Sequence, residues 1–434
     1  MANLPYKPRS RNRPCRGGQA NQKYAACAGV DRGGSNRRVC VPDRDGAQLG
    51  ESAFTRSGAG PGKLCAYILE SAASTPDRAA VAIETPQGPV AEALQERGFA
   101  VRSINPRQPD RFRDRRSPAG SKDDRRDAWV PAGSLRTDPQ AFRALHPPPP
   151  RTLELRGLER AAEEPTGDRV RLTNRLRARL RRYYPQILEL TDDPSEDWIP
   201  DLRQAAPAPD GAGRLSRARI AGILRRNRIR RIDAAQVGEV LGREALSAAE
   251  GTAPAAAAGI ALPIERLRPV KRQLKDVGRR VDGLLEGCDE ESPDGAGQRD
   301  AEILRSIPGV GRTVPAALPS EARDPIRRRD CQALRAYSGA APATKRSGKS
   351  IIAVRRRAAS QRPVNALTFW AGAAIRHDPQ SRLEYDALRA RGKGHVRALR
   401  SAADRLLFAA CAMLGEQTPY DPERRQGVRA AARA

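Results

Sequence analysis

An α/β domain followed by helical ones is the architecture this sequence predicts, and three observations predict it. Short apolar segments bounded by turn residues fill the chain as far as Asn105. Beyond Pro147–Pro150, apolar residues recur at steps of three and four, the helical period. A chain of 434 residues is long enough for two or three such domains.

Residues 1–22 read as a disordered basic arm. Apolar segments follow at Ala25–Asp31, Arg38–Val41, Ser52–Thr55, Ala79–Glu84 and Phe99–Asn105. Between the last two, helical spacing over Val90–Arg97 ends at Gly98, where a glycine closes a helix easily. Three strands, then strand–helix–strand, is the order of a ribonuclease-H-like fold. Pro147–Pro150 forms a stiff spacer that closes this first domain, residues 23–150.

The region 151–291 reads as a helical stalk. Leu172, Leu176, Leu180, Tyr183 and Ile187 keep helical spacing until Pro185 and the acidic segment Asp192–Asp197 interrupt it. A second seam, Leu267, Val270, Leu274, Val277, Val281 and Leu284, alternates steps of three and four, the pattern of a short coiled coil. Between the two seams lies a Pro/Ala/Gly-rich insertion with one strongly basic helix, Arg214–Arg231, at the tip of an antiparallel pair. Ser292–Gln298 is a polar linker, residues 299–421 form a mainly helical last domain, and 422–434 are a basic tail. In the last domain Val396, Leu399, Ala403, Leu406, Ala410 and Met413 form an apolar helix stripe expected in the core.

Lys and Arg number 79 against 51 Asp and Glu, a formal charge of +28. A GC-rich genome raises Arg, Ala, Pro and Gly, but it raises acids as well, so the imbalance points to a polyanionic partner, nucleic acid first. No apolar run is long enough for a membrane helix, and Met1–Arg16 lacks the apolar stretch of a secretory signal. Seven cysteines without a CxxC pair fit neither a disulfide framework nor a zinc module. The expectation is a reduced, cytoplasmic, nucleoid-associated protein with no membrane partner.

Acidic residues end two of the expected strands, Asp31 in Ala-Gly-Val-Asp and Glu84 in Val-Ala-Ile-Glu. In a ribonuclease-H-like sheet those strands are neighbours, so both carboxylates would reach one spot. Asp124 and Asp127 stand three apart, on one face if helical, although Asp123 and Asp127 would also converge. Such a set cannot ionise together without a cation, and hard oxygen ligands select Mg²⁺ or Mn²⁺. Two such ions would activate a nucleophile and stabilise the leaving oxygen of a phosphodiester. The plain alternative is a charged helix start with solvated arginines.

Ile307-Pro-Gly-Val-Gly311, followed by Arg312, reads as a helix–hairpin–helix turn. Gly309 and Gly311 would bring backbone N–H groups close to a phosphate, or would simply let two helices pack. Ser347 lies among Lys345, Arg346 and Lys349, so it is either a phosphate-contacting hydroxyl or a nucleophile whose transition state those cations would steady. None of the three histidines, His146, His377 and His395, is near it in sequence.

These pieces together resemble the DEDD-type insertion-sequence transposases of the IS110 family. The resemblance runs through Gly-Val-Asp31, Ile-Glu84-Thr-Pro-Gln-Gly88, Val101-Arg-Ser-Ile-Asn-Pro106 and Ser-Lys-Asp-Asp124-Arg-Arg-Asp127. It continues through Leu172-Thr-Asn-Arg-Leu176, Tyr183-Tyr-Pro185, Ile307-Pro-Gly-Val-Gly311, Gly339-Ala-Ala-Pro342, Ser347-Gly-Lys349, and Tyr385 with Arg389-Ala-Arg-Gly-Lys393. It implies a RuvC-like domain in which Asp31, Glu84, Asp124 and Asp127 bind magnesium, and it favours Asp124 over Asp123. It also implies a coiled-coil connection used in self-association to a dimer or tetramer, and a C-terminal transposase domain with Ser347 as the nucleophile. The active site would be shared between protomers, and a structured bridge RNA would pair with donor and target DNA. The competing expectations are a metal-dependent nuclease or junction resolvase without serine chemistry, and a non-catalytic RNA- or DNA-binding protein.

Overall fold

The computed structural model describes residues 24–31, 36–55, 58–84, 86, 88–104, 112, 124–244, 251–286, 296–348 and 350–422. The expected arm 1–22, Asp123, Lys349 and the tail beyond residue 422 lie outside them, and so does the side chain of Asp124. The chain divides into two compact units, Met1–Pro148 and Pro149–Ala434.

The first unit runs β1 (Ala26–Val30), β2 (Asn36–Pro42), β3 (Gln48–Thr55), α1 (Gly60–Ala72), β4 (Ala79–Ile83), α2 (Pro89–Glu96), β5 (Ala100–Ser103), α3 (Asp124–Thr137) and β6 (Arg143–Ala144). The sheet order is β3-β2-β1-β4-β5-β6. The β1–β4 and β4–β5 pairs are parallel and the others antiparallel. The five expected strands are all present. Helix α1 is an addition to the expected order: its Gly-Pro-Gly opening reads as a turn, yet Pro61 sits in the first helical turn, where its missing N–H is harmless.

Strand β4 explains the layering. Ala79, Val81 and Ile83 join Leu64, Ile68 and Leu94 in one core, while Ala80 and Ala82 join Leu135 and Phe142 in another. A strand covered on both faces reads as a continuous apolar run rather than an alternation, as Ala79–Ile83 does. The small residues on the second face let α3 lie close to the sheet.

The second unit opens with α4 (Pro150–Ala161) and α5 (Glu163–Tyr183), then α6 (Gln186–Leu190), α7 (Trp198–Ala205), α8 (Arg217–Arg226) and α9 (Ala234–Leu241). Helix α10 (Thr252–Glu286) runs back along α5 and α4. Arg179 on α5 bonds the Gly259 carbonyl near the start of α10, and Arg280 near its end pairs with Glu154 at 3.1 Å. The apolar seam of α10 includes Ile260, Ile264, Leu267, Val281 and Leu285, and it continues through Pro263 and Pro269. The heptad pattern puts Leu284 on that seam; Leu285 is the more buried of the two. Partners for the seam come from this chain itself: Leu172, Leu176 and Leu180 near the tip, Leu155 and Leu158 near the base. Its pattern therefore does not require a second copy.

The insertion is a packed body rather than a loop. Trp198, Ile199, Leu202, Ile220, Ile223, Val237 and Leu241 share one core with the upper stalk. The basic segment expected as a single helix over Arg214–Arg231 is shorter. Ser216 caps the start of α8 by accepting from Arg219 N, and Arg228, at φ 56°, breaks the helix after Asn227.

The chain ends with α11 (Ala296–Ser306), α12 (Thr313–Glu321), α13 (Arg323–Arg327), α14 (Cys331–Tyr337), the hairpin β7 (Ala343–Ser347) and β8 (Ser350–Val354), α15 (Gln361–His377), α16 (Pro379–Ala390) and α17 (His395–Glu416). The expected linker 292–298 is helical from Ala296. In α17 the buried stripe is Ala398, Ala402, Ala403, Leu406, Leu407, Ala410 and Leu414, so Val396, expected in the core, lies outside it at 69% exposure. Among the described residues no helix is long and apolar enough to cross a membrane, and the five described cysteines are free thiols.

Ion pairs fasten the stalk base to the last helices. Arg160 forks onto Glu321 at 3.0 and 3.3 Å, Arg362 onto Glu163 at 2.6 and 3.0 Å, and Arg312 onto Asp282 at 2.9 and 2.6 Å. Glu159 sits within this cluster. Burial pushes its carboxyl up to about 7, against the pull of Arg312 and with help from Glu163 and Glu321. The folded chain thus holds this proton more tightly than the unfolded chain does. The stability it contributes is full below the ordinary glutamate value of 4.5 and is lost as pH rises through about 7. Glu159→Gln is expected to raise stability above pH 7 by ~1–2 kcal/mol and to flatten the pH profile of thermal unfolding. A profile that keeps its slope would remove Glu159 as its source.

Candidate active site

Asp31 and Glu84 follow directly on β1 and β4. These strands pair in parallel with Val30 opposite Ile83, so the two acidic residues leave adjacent strands at the same end of the sheet. The main chain of Asp31 is held on both sides: its N–H donates to the Arg38 carbonyl at 3.0 Å, and the Arg37 guanidinium donates to its carbonyl at 2.9 Å. Glu84 follows a residue fixed in the same way, since Ile104 N–H donates to the Ile83 carbonyl at 3.1 Å.

The third position comes from α3 through a close approach. A Cβ on Gly29 would stand 2.2 Å from the Ala128 carbonyl oxygen and 2.6 Å from the Ala132 nitrogen. Only glycine allows helix backbone to lie on strand backbone at that distance. Gly29 is two residues before Asp31, and Ala128 is next to Asp127. Packing at Gly29 therefore brings the start of α3, with Asp124 and Asp127 one turn apart, to the edge where β1 and β4 end. Asp31, Glu84 and Asp127 are all partly exposed there, as residues serving a solvent-borne substrate must be. The oxygen donors and the shared edge suit a hard divalent cation. Among the described residues, which leave out the Asp124 side chain, no three Asp, Glu, His or Cys side chains stand close enough together to hold one.

Ser347 ends β7 and faces Ser350 across a two-residue turn. Gly348 takes φ 53°, the left-handed conformation such turns demand. Lys345, Arg346 and Ser347 are exposed along the ribbon. Charge alone marks this stretch as a basic loop. The signal that identifies a hairpin is the run of β-branched residues on either side of Gly348, Thr344 before it and Ile351, Ile352 and Val354 after.

The Ile307–Gly311 turn connects α11 to α12. Gly309, at φ 76°, backs onto α15: a Cβ there would meet Ala374 N at 2.8 Å. The Trp370 indole donates to the Pro308 carbonyl at 3.3 Å. Of the two readings of this turn, helix packing is the one Gly309 serves. Gly311 has open space beside it, and Arg312 is occupied by Asp282. A pair outside the candidate set lies at the α16–α17 junction, where Tyr385 Oη and the exposed His395 Nδ1 are 2.6 Å apart.

Comparison with known proteins finds two family matches along the chain. A transposase family of DEDD type matches residues 28–185, and the transposase family IS116/IS110/IS902 matches residues 301–386. The chain is 30% identical over 402 residues to the protein named as the mini-circle transposase for IS117 in Streptomyces coelicolor, covering 91% of this chain and 95% of that one. It is 47% identical over 218 residues to y4uE of Sinorhizobium fredii, named as a transposase, a match spanning 50% of this chain and 60% of that protein. A 43.6 kDa protein of insertion element IS110, also from Streptomyces coelicolor, is 28% identical over 325 residues, 73% of this chain and 76% of its own length.

Proposed function

Because the chain belongs to the IS110 family of transposases, enzymes that cut and rejoin DNA, we propose that Asp31, Glu84, Asp124 and Asp127 form its cutting centre and that Ser347 is its nucleophile. The observation that carries the first half is the register of β1 on β4, with α3 laid against Gly29. A divalent cation, Mg²⁺ or Mn²⁺, would be held by those four carboxylates and would withdraw charge from the phosphodiester. The residues themselves fix where a phosphate comes to rest, because rigid strand ends and one helix start set their positions.

Ser347 supports a covalent step by its place at an exposed tip beside Lys345 and Arg346. As the Oγ–P bond forms and the bond to the departing sugar oxygen breaks, the proton of Oγ passes by way of solvent to that oxygen, which leaves as a hydroxyl. The new ester keeps the energy of the old one, so a second strand's hydroxyl reverses the exchange and regains the seal without an external energy source. The cations beside it offset the charge that develops on the phosphorus oxygens.

Target choice is assigned to a structured guide RNA, with the protein reading backbone and shape; the charge of +28 supports this by providing surface for both nucleic acids. Self-association is proposed on the family's shared active site alone, since α4 and α5 already cover much of the α10 seam. The test uses labelled donor DNA and the transcript flanking the gene. The wild type is expected to leave a denaturation-resistant protein–DNA adduct that Ser347→Ala lacks. Strand exchange that survives in Ser347→Ala would put a carboxylate-only nuclease in place of this reading.

A further inference from the structure

We propose that the helical tip at α8 and α9 is a second DNA-binding surface, which grips the backbone of a duplex outside the cleavage site. Eight arginines lie between Arg214 and Arg231, with no acidic residue among them. All eight are exposed. Arg231 is paired with Glu196 at 2.7 Å and Arg226 approaches Asp201 at 3.9 Å. Among the described residues no acidic partner stands against the other six: Arg214, Arg217, Arg219, Arg225, Arg228 and Arg230. Some other arginines of this unit are tied into forked pairs, as Arg160, Arg312, Arg329, Arg335 and Arg362 are, while others, such as Arg175, Arg181, Arg266 and Arg272, are exposed without an acidic partner. What marks the tip is density: six such guanidinium groups within one segment of 17 residues, with no acid between them.

Two further features say which anion. Arg225, Arg228 and Arg230 line a groove together with Leu224, Ile229, Ile232 and Asp233, whose carboxylate is engaged in capping α9 by accepting from Ala235 N and Gln236 N. Arg228 holds φ 56° at the break between α8 and α9, where glycine would be unstrained. A charged side chain kept at a strained position serves something other than the turn. The forked guanidinium matches phosphate oxygens. No aromatic residue stands between Trp198 and Tyr337, so the tip has no platform for the base stacking by which unpaired strands are held. Backbone contact with a duplex is what remains, and DNA is the substrate of this enzyme family.

The test measures binding of the full-length protein to a labelled DNA duplex over a salt series. Removing one cation from a phosphate lowers the slope of log affinity against log salt by about one. The variant R225Q/R228G/R230Q is expected to lose about three units of slope and to bind roughly tenfold or more weakly at moderate salt. R228G alone should lose about one unit while its Tm stays or rises, because glycine relieves the backbone. That single variant keeps the test decisive if the triple one misfolds. Unchanged slopes would overturn the proposal. A loss confined to binding of an RNA hairpin would also overturn it and give the surface to the guide. No cleavage is needed in this assay, so a failure of the Ser347 or carboxylate assignment would show in adduct formation and not here.

Discussion

Asp31→Asn is expected to lower DNA cleavage by at least ~10³-fold while leaving the fold and DNA binding in place. Several kcal/mol of charge stabilisation come from a held cation, and each ~1.4 kcal/mol is a factor of ten in rate. An amide keeps the shape of the side chain but loses its charge. Stability should survive because the residue's position is set through its main chain, by the Arg38 carbonyl and the Arg37 guanidinium, and not through core packing. Glu84→Gln should behave alike, since the Val30–Ile83 register makes the two positions equivalent strand ends. Single-turnover cleavage with a Mg²⁺ titration reads the effect, and Mn²⁺ binding by magnetic resonance gives a second readout free of catalysis. Cleavage within tenfold of the parent, with Mn²⁺ still bound, would remove Asp31 from the centre.

The parts of this site that were legible in the sequence are those written in local patterns. Ala-Gly-Val-Asp31 and Val-Ala-Ile-Glu84 each state an apolar strand with an acid at its end, and the structure supplies the parallel pairing that joins them. Helix α3 was legible only as acidic residues three apart. Its seat depends on Gly29, which in sequence is an ordinary glycine within a strand and whose purpose emerges only when Ala128 and Ala132 lie over it.

Other features are left open by the sequence for a common reason. Heptad spacing on α10 shows that a seam is apolar but not who covers it, and here α4 and α5 cover much of it. Arg312 reads as a phosphate contact beside a glycine turn, and Asp282, 30 residues away in sequence, engages two of its three guanidinium nitrogens. Long-range partners decide such cases, and no window of sequence contains them. The arginines of the tip are the converse: there the local charge run is informative because nothing distant neutralises most of it.

Gly29→Val is the sharpest test of how packing serves the chemistry. The added carbons would run into the Ala128 carbonyl oxygen and the Ala132 nitrogen, both backbone atoms that no rotamer can withdraw. Relief requires α3 to move off the sheet, opening the tight layer formed by Ala80 and Ala82 against Leu135. Overpacking of this kind costs about 1–3 kcal/mol, and the first unit should unfold at lower temperature by a corresponding margin. The larger effect falls on activity. Asp127 is joined to Ala128, so it moves with the helix, and misplacement by about 1 Å at a reacting centre costs on the order of 10²-fold. Gly29→Ala should show a smaller version of both losses, with DNA binding retained. Gly222→Ala on α8 is the matched control: no neighbour crowds its Cβ, and alanine in a helix interior stabilises by up to about 1 kcal/mol. If Gly29→Val cleaved DNA as fast as the parent and melted at the same temperature, the helix start would not depend on that contact. The carboxylates at the start of α3 would then need another reason to share the edge where β1 and β4 finish.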